Sequence, residues 1–92
     1  MRKIALLGAG FIARFYADSI HGLRSRDLIQ VVYARREEAA RELAEDYGVP
    51  VWTTSVEAAI NDVDVDTVVI ALPNHLHEQA VLECVRARKV IL

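Results

Sequence analysis

Cysteine is almost absent: Cys84 stands alone among 92 residues. A lone thiol forms no intrachain disulfide and founds no cysteine metal site, which fits a reducing, cytoplasmic compartment. An excess of either charge is also lacking. Eleven Lys and Arg against 13 Asp and Glu leave a net charge of −2. No basic surplus exists to follow a nucleic-acid backbone, and no run of like charges marks a tail. The apolar stretch Ile4–Ala13 is far shorter than the ~20 residues that span a bilayer as a helix. It follows Met1-Arg2-Lys3 and so has the outline of a secretory signal. Arg14 ends it, however, and no small-x-small cleavage site follows, so a membrane or export role is not expected. With only two prolines and four glycines there is no linker, repeat or low-complexity segment. Residues 1–92 read as one domain. The hydrophobic fraction of 53% argues for a folded chain, able at this length to bury roughly 60–68% of its unfolded surface.

What is present is an alternation of short apolar runs and helical periodicity. Lys3–Leu7 reads as a strand. Residues 11–21 read as a helix, with Ile12, Phe15 or Tyr16, and Ile20 inward and Gly22 as the stop. Leu28–Tyr33 is β-branched and aromatic, a second strand. Ala40, Leu43, Ala44 and Tyr47 fall at i, i+3, i+4, i+7 in a helix over 37–47, closed by Gly48 and Pro50. Val51-Trp52 is a brief third strand. Thr54-Ser55-Val56-Glu57 has capping-box spacing and opens a short helix through Ile60. Asn61–Asp66 is an acidic loop, and residues 67–71 form a fourth strand apolar on both faces, as in the interior of a parallel sheet. Residues 75–88 form a helix with Leu76, Ala80, Val81, Cys84 and Val85 inward, and residues 90–92 begin a fifth strand. The expected fold is α/β: a doubly wound, Rossmann-type parallel sheet of about five strands in order 3-2-1-4-5. A sixth strand, usual in such folds, has no counterpart in these residues.

The chemical claim lies between the first strand and first helix. Gly8-Ala9-Gly10-Phe11-Ile12-Ala13 has the form G-x-G-x-x-[GA]. The first glycine permits a tight turn, the second lets a pyrophosphate approach the backbone, and the small third residue seats the helix close to the strand. The amides of Phe11 and Ile12 then face the anion at the positive end of the helix dipole. The pattern alone is common; its place after a strand and before a helix is what makes it a dinucleotide fingerprint.

Three further segments carry a family resemblance together with this turn: Ala39–Gly48, Asp64–Ala71, and Leu72-Pro73-Asn74-His75-Leu76-His77. The chain resembles, over essentially its whole length, the N-terminal half of the Gfo/Idh/MocA oxidoreductases, the glucose–fructose oxidoreductase and inositol dehydrogenase family. The Pro-Asn-x-x-His segment is the most specific part. The resemblance implies a two-domain parent enzyme passing hydride between NAD(P) and a sugar- or cyclitol-like hydroxyl. It also implies a catalytic lysine in a Glu-Lys-Pro motif after the fifth strand, about where Leu92 stands, and a separate substrate domain. No catalytic residue is therefore expected within residues 1–92, and the chain alone should be inactive. The alternative is a stand-alone nucleotide-binding, sensing or interaction module. A methyltransferase using S-adenosylmethionine is a third reading, opposed by Ala13 and by the Pro-Asn-x-x-His segment.

The resemblance places Ala34, then Arg35 and Arg36, where NAD enzymes usually carry an acidic residue for the ribose hydroxyls. No carboxylate stands there to repel a 2′-phosphate and two guanidiniums are at hand, so NADP is preferred, with NAD possible. Equally, the two arginines read as solvated residues offset by Glu37 and Glu38. Leu72, Pro73 and Asn74, at the end of the fourth strand, line the nicotinamide-ribose side by resemblance; Asn74 also reads as a helix N-cap. His77 matches the family histidine, near the cofactor or simply on the surface. His75 and His77, two apart on a helix, make no metal site. Cys84, Trp52 and Tyr47 read as packing residues. The short fifth strand leaves an open edge, through which self-association is expected.

Overall fold

A computed structural model describes residues 2–22 and 28–92. Nine elements alternate: β1 Lys3–Leu7, α1 Phe11–Gly22, β2 Leu28–Tyr33, α2 Glu37–Tyr47, β3 Val51–Thr53, α3 Val56–Ile60, β4 Thr67–Ile70, α4 Asn74–Arg86 and β5 Val90–Ile91. The strands form one parallel sheet in the order β3-β2-β1-β4-β5, the doubly wound arrangement expected. One apolar layer joins Ile4, Leu6, Ile29, Val32 and Val69 to Ala13 and Ala17 of α1 and Leu43 and Ala44 of α2. The other joins Ala5, Leu7, Val31, Tyr33 and Val68 to Ala59 and Ile60 of α3 and Ala80 and Cys84 of α4. β1 and β4 are buried on both faces, which is why their sequences lack alternation.

One irregularity crosses this pattern. β1 pairs Ile4 with Ile29 but Ala5 with Val31, so Gln30 is an extra residue in β2. The bulge inverts the alternation there: Ile29 and Val31, two apart, face opposite helix layers.

Several sequence expectations are corrected. The inner face of α1 is Ala13 and Ala17, with Ile20 half-buried; Ile12 and Phe15 are 56% and 61% exposed. Ala13 and Ala17 are the α1 residues buried in the cluster with Ile4, Leu6, Ile29, Val32 and Val69. Val85 is likewise outward at 64% exposure, while Ala80 and Cys84 hold the inner stripe of α4. The cap of α3 is Ser55, one residue later than the capping-box spacing suggests: its Oγ accepts from the Ala58 amide at 3.1 Å. Asn74 does not cap α4; it is the first helical residue and Pro73 holds the cap position. α1 continues through Gly22, and how it ends lies outside the described residues.

Two helices end by the same device. After α2, Gly48 takes φ 65° and the Val49 amide returns to the Ala44 carbonyl at 2.8 Å. After α4, Arg88 takes φ 57°, its amide returns to Val85 at 3.2 Å, and the Lys89 amide returns to Cys84 at 2.9 Å. Both are Schellman motifs; the second places a β-carbon where glycine is preferred. Lys89 then folds its ammonium onto the carbonyls of Asp62 and Val65, tying the exit of α4 to the acidic loop. β5 is one of the two edge strands, opposite β3, and Val90, Ile91 and Leu92 are all exposed.

Candidate dinucleotide site

The carboxyl ends of β1, β2 and β4 open into one crevice of about 760 Å³, bounded by the glycine turn, by Tyr33–Arg36 and Ala39, and by Ile70–Pro73 with His75 and Leu76. It lies where strand order reverses, between β1 and β4, the place where open α/β sheets bind ligands.

The turn is held from both sides. The Gly8 amide donates to the Tyr33 carbonyl at 2.7 Å, and the Ala71 amide donates to the Leu7 carbonyl at 2.9 Å. Gly8 has φ 124°, and a β-carbon there would lie 2.6 Å from the Ala71 carbonyl oxygen. This position is glycine because the backbone of the β4 exit occupies the space. Gly10 differs: a β-carbon there would meet nothing within 4 Å, and Gly10 borders the crevice. The space that a side chain would take is left open beside the turn, as a pyrophosphate lying on the backbone requires. The Arg14 amide closes the first helical bond onto the Gly10 carbonyl at 3.0 Å. The amides before it, through Phe11, Ile12 and Ala13, have no partner inside α1, the arrangement of a helix N-terminus that is free to meet an anion.

α1 is fixed against α2 by two polar ties. Arg14 Nη1 donates to Asp46 Oδ2 at 2.9 Å, and the Tyr47 hydroxyl donates to the Asp18 carboxylate. The Asp46 hydrogen bond pushes Arg14 above its usual value. The Asp18 hydrogen bond, with some help from burial, does the same for Tyr47. Arg14 is thereby committed to α2 rather than to the crevice.

At the β2 end, Ala34 is buried and its amide donates to the Thr53 carbonyl at 3.2 Å, so the chain turns there without a side chain in the way. Arg35 and Arg36 border the crevice. Arg36 pairs with Glu38 at 3.4 Å, but the side chains are 79% and 67% exposed, and such pairs contribute about 0–1 kcal/mol. Among the described residues no ion pair engages Arg35, and no carboxylate borders the crevice.

The structure thus brings together Gly8, Gly10, Ile12, Ala13, Ala34, Arg35, Arg36, Leu72 and Pro73. It leaves Asn74 and His77 off the crevice walls and puts His75 there instead. Tyr33, Ala39, Ile70 and Ala71 also border it; they look like plain strand and helix residues in the sequence, and only the convergence of strand ends reveals them. Cys84 is fully buried on the inner side of α4, and burial pushes its thiol up, as suits a packing residue. Among the described residues no group of acidic, histidine or cysteine side chains would hold a metal, and no helix is long and apolar enough to cross a membrane.

Residues 2–92 match the family model described as "Oxidoreductase family, NAD-binding Rossmann fold". The chain belongs to the Gfo/Idh/MocA oxidoreductase family. It is 36% identical over 90 residues to an inositol 2-dehydrogenase of Rhizobium meliloti (strain 1021), covering 97% of this chain and 26% of that one. Among solved structures, a probable dehydrogenase from Thermotoga maritima superposes with TM-score 0.91 at 25% identity, over 97% of this chain and 26% of that one. A biliverdin reductase from Synechocystis sp. PCC 6803, in complex with biliverdin and NADP+, superposes with TM-score 0.87 at 28% identity, over 97% and 28%. The Gfo/Idh/MocA chain described here spans about a quarter of the length of these relatives. It corresponds to the family's NAD-binding Rossmann domain.

Proposed function

We propose that this domain is the cofactor-binding half of an oxidoreductase that passes hydride between NADP and a hydroxyl carbon of a sugar- or cyclitol-like substrate. The observation that carries the reading is the crevice itself: a glycine turn with room left at Gly10, two guanidiniums at the β2 end, and no carboxylate among its described walls. In this reading Gly8 to Ala13 hold the pyrophosphate through backbone amides. Arg35, with Arg36 drawn away from its weak pair with Glu38, meets the 2′-phosphate. Leu72 and Pro73 shape the far wall and exclude water. When bound, the nicotinamide supplies the hydride acceptor or donor. Substrate-holding and proton-moving groups belong to parts of the parent beyond these residues, so the 92-residue chain by itself is expected to bind cofactor and oxidise no polyol. The exposed edge of β5 is the face through which copies of the isolated domain associate.

Calorimetric titration with NADP+, NAD+ and S-adenosylmethionine tests this. NADP+ binding most tightly supports it. Equal affinity for the two nicotinamide cofactors, or tighter NAD+, removes the preference; S-adenosylmethionine binding most tightly removes the oxidoreductase reading.

A further inference from the structure

We infer that Glu38 competes with the 2′-phosphate for the Arg36 guanidinium and so sets how far NADP is preferred over NAD. The inference rests on the cofactor reading above and deepens it. That reading names the cations that meet the phosphate; this one gives a specificity-determining role to a carboxylate beside them.

The two arginines that follow Ala34 are unequal before any ligand arrives. Among the described residues Arg35 is in no ion pair. Arg36 holds the cap position of α2 and Glu38 the second helical position, and Arg36 Nη2 donates to Glu38 Oε2 at 3.4 Å. Carboxylate and phosphate oxygens seek the same N–H groups of a guanidinium. Glu38, two residues away on the same backbone, therefore occupies a donor that the phosphate needs. NADP must displace it. NAD, whose ribose carries a hydroxyl in place of the phosphate, has no such exchange to make. The cost falls on one cofactor only, and specificity is a difference between two affinities.

The geometry argues against the opposite role, in which Glu38 holds Arg36 ready for the phosphate. A carboxylate that orients a guanidinium does so through short, paired bonds of about 2.7–2.9 Å. Here one nitrogen meets one oxygen at 3.4 Å, between side chains that are 79% and 67% exposed. Such a pair is loose enough to be exchanged, and exposed pairs of this kind shift an equilibrium by up to about fivefold. Glu37 carries the same charge in the same first turn of α2 but is in no ion pair among the described residues. It supplies the comparison.

The test is calorimetric titration of the 92-residue chain and its variants with NADP+ and NAD+. Glu38→Gln keeps nearly the same shape without the charge. It is expected to bind NADP+ about two- to fivefold more tightly and NAD+ as the parent does. Glu37→Gln removes an equal charge one residue away and is expected to gain less. In an Arg36→Ala background, where Arg35 still meets the phosphate, Glu38→Gln is expected to gain nothing. A gain in affinity is a readout that damage to the fold does not produce, and circular dichroism checks that each variant folds. Glu38→Gln binding NADP+ no more tightly than the parent overturns the inference and leaves the cofactor reading standing. So does an equal gain for NAD+, an equal gain from Glu37→Gln, or a gain that persists with Arg36→Ala, since each marks a general field rather than competition at one guanidinium. Failure of NADP+ to bind the parent and both single variants overturns the two together.

Discussion

Gly8 and Gly10 lie two residues apart in one turn, yet the structure assigns their missing side chains to different purposes, and alanine at each separates them. At Gly8 the φ of 124° is unfavourable for an L-residue, and the new methyl would sit 2.6 Å from the Ala71 carbonyl oxygen, a backbone atom that cannot swing aside. The conformation costs about 1–2 kcal/mol and the overpacking about 1–3 kcal/mol, so Gly8→Ala should destabilise by about 2–5 kcal/mol. A domain of this length is stable by about 5–14 kcal/mol. The variant should still fold, with a urea midpoint lowered by roughly 1–3 M. At Gly10 there is no positive φ and nothing within 4 Å of the added carbon. Gly10→Ala should therefore change stability by no more than about 0.5 kcal/mol. It should nevertheless weaken NADP+ by at least about tenfold, because the methyl fills the space the pyrophosphate needs. Urea melts followed by far-ultraviolet circular dichroism, paired with calorimetric titration of NADP+, measure both quantities on both variants. A Gly10→Ala protein that binds NADP+ as tightly as the parent would refute the assignment of that space to phosphate. A Gly8→Ala protein as stable as the parent would refute the crowding argument.

Four further outcomes follow from particular contacts. Arg35→Ala should weaken NADP+ about tenfold and leave NAD+ nearly unchanged; because the site is open to solvent, this lower end of the range for charged hydrogen bonds applies, and an equal loss for both cofactors in calorimetry would count against a 2′-phosphate contact. Ser55→Ala should cost about 0.5–2 kcal/mol in a urea melt, whereas Thr54→Ala should cost almost nothing, since Ser55 Oγ is the group that accepts from Ala58. Arg88→Gly should stabilise by about 0.5–1 kcal/mol by relieving the left-handed conformation at φ 57°; a lower midpoint would contradict the Schellman reading. Tyr47 titrates above its ordinary value of 10.0 because the neutral phenol donates to Asp18 and is partly desolvated. Its contribution is therefore full below about pH 10 and is lost as pH rises through the higher folded value, so the stability gap between the parent and Tyr47→Phe should close in alkali; a gap independent of pH between 7 and 11 would remove the hydrogen bond from the account.

Element order was legible because it depends on patterns a few residues long. β4 announced itself as Thr67-Val68-Val69-Ile70, and α2 through Ala40, Leu43 and Ala44, followed by Gly48 at a left-handed cap. The same cap after α4 was invisible, because Arg88 carries no mark of a left-handed residue; the return of Lys89 to Cys84 imposes it. The bulge at Gln30 was hidden for a similar reason. Alternation in β2 shows only local pattern, while the register shift arises from pairing with β1. On α1, hydrophobicity pointed to Ile12 and Phe15. The tertiary structure buries Ala13 and Ala17 instead, because which side of the helix meets the sheet is set by the turn and the neighbouring helix rather than by the apolar area of its residues.

The sequence by itself determined a doubly wound sheet opened by a glycine turn, because strand runs, helix periods and the Gly8–Ala13 spacing are local and mutually consistent. Which residues share the crevice was decided by the tertiary structure. Arg35, Gly10 and Leu72 meet there because three parallel strands end side by side, although they are far apart in the chain. The glycine turn also divides in this way: its spacing could be read from the sequence, but only the tertiary structure shows the Ala71 carbonyl beside Gly8, which crowds out a side chain, and the open space beside Gly10.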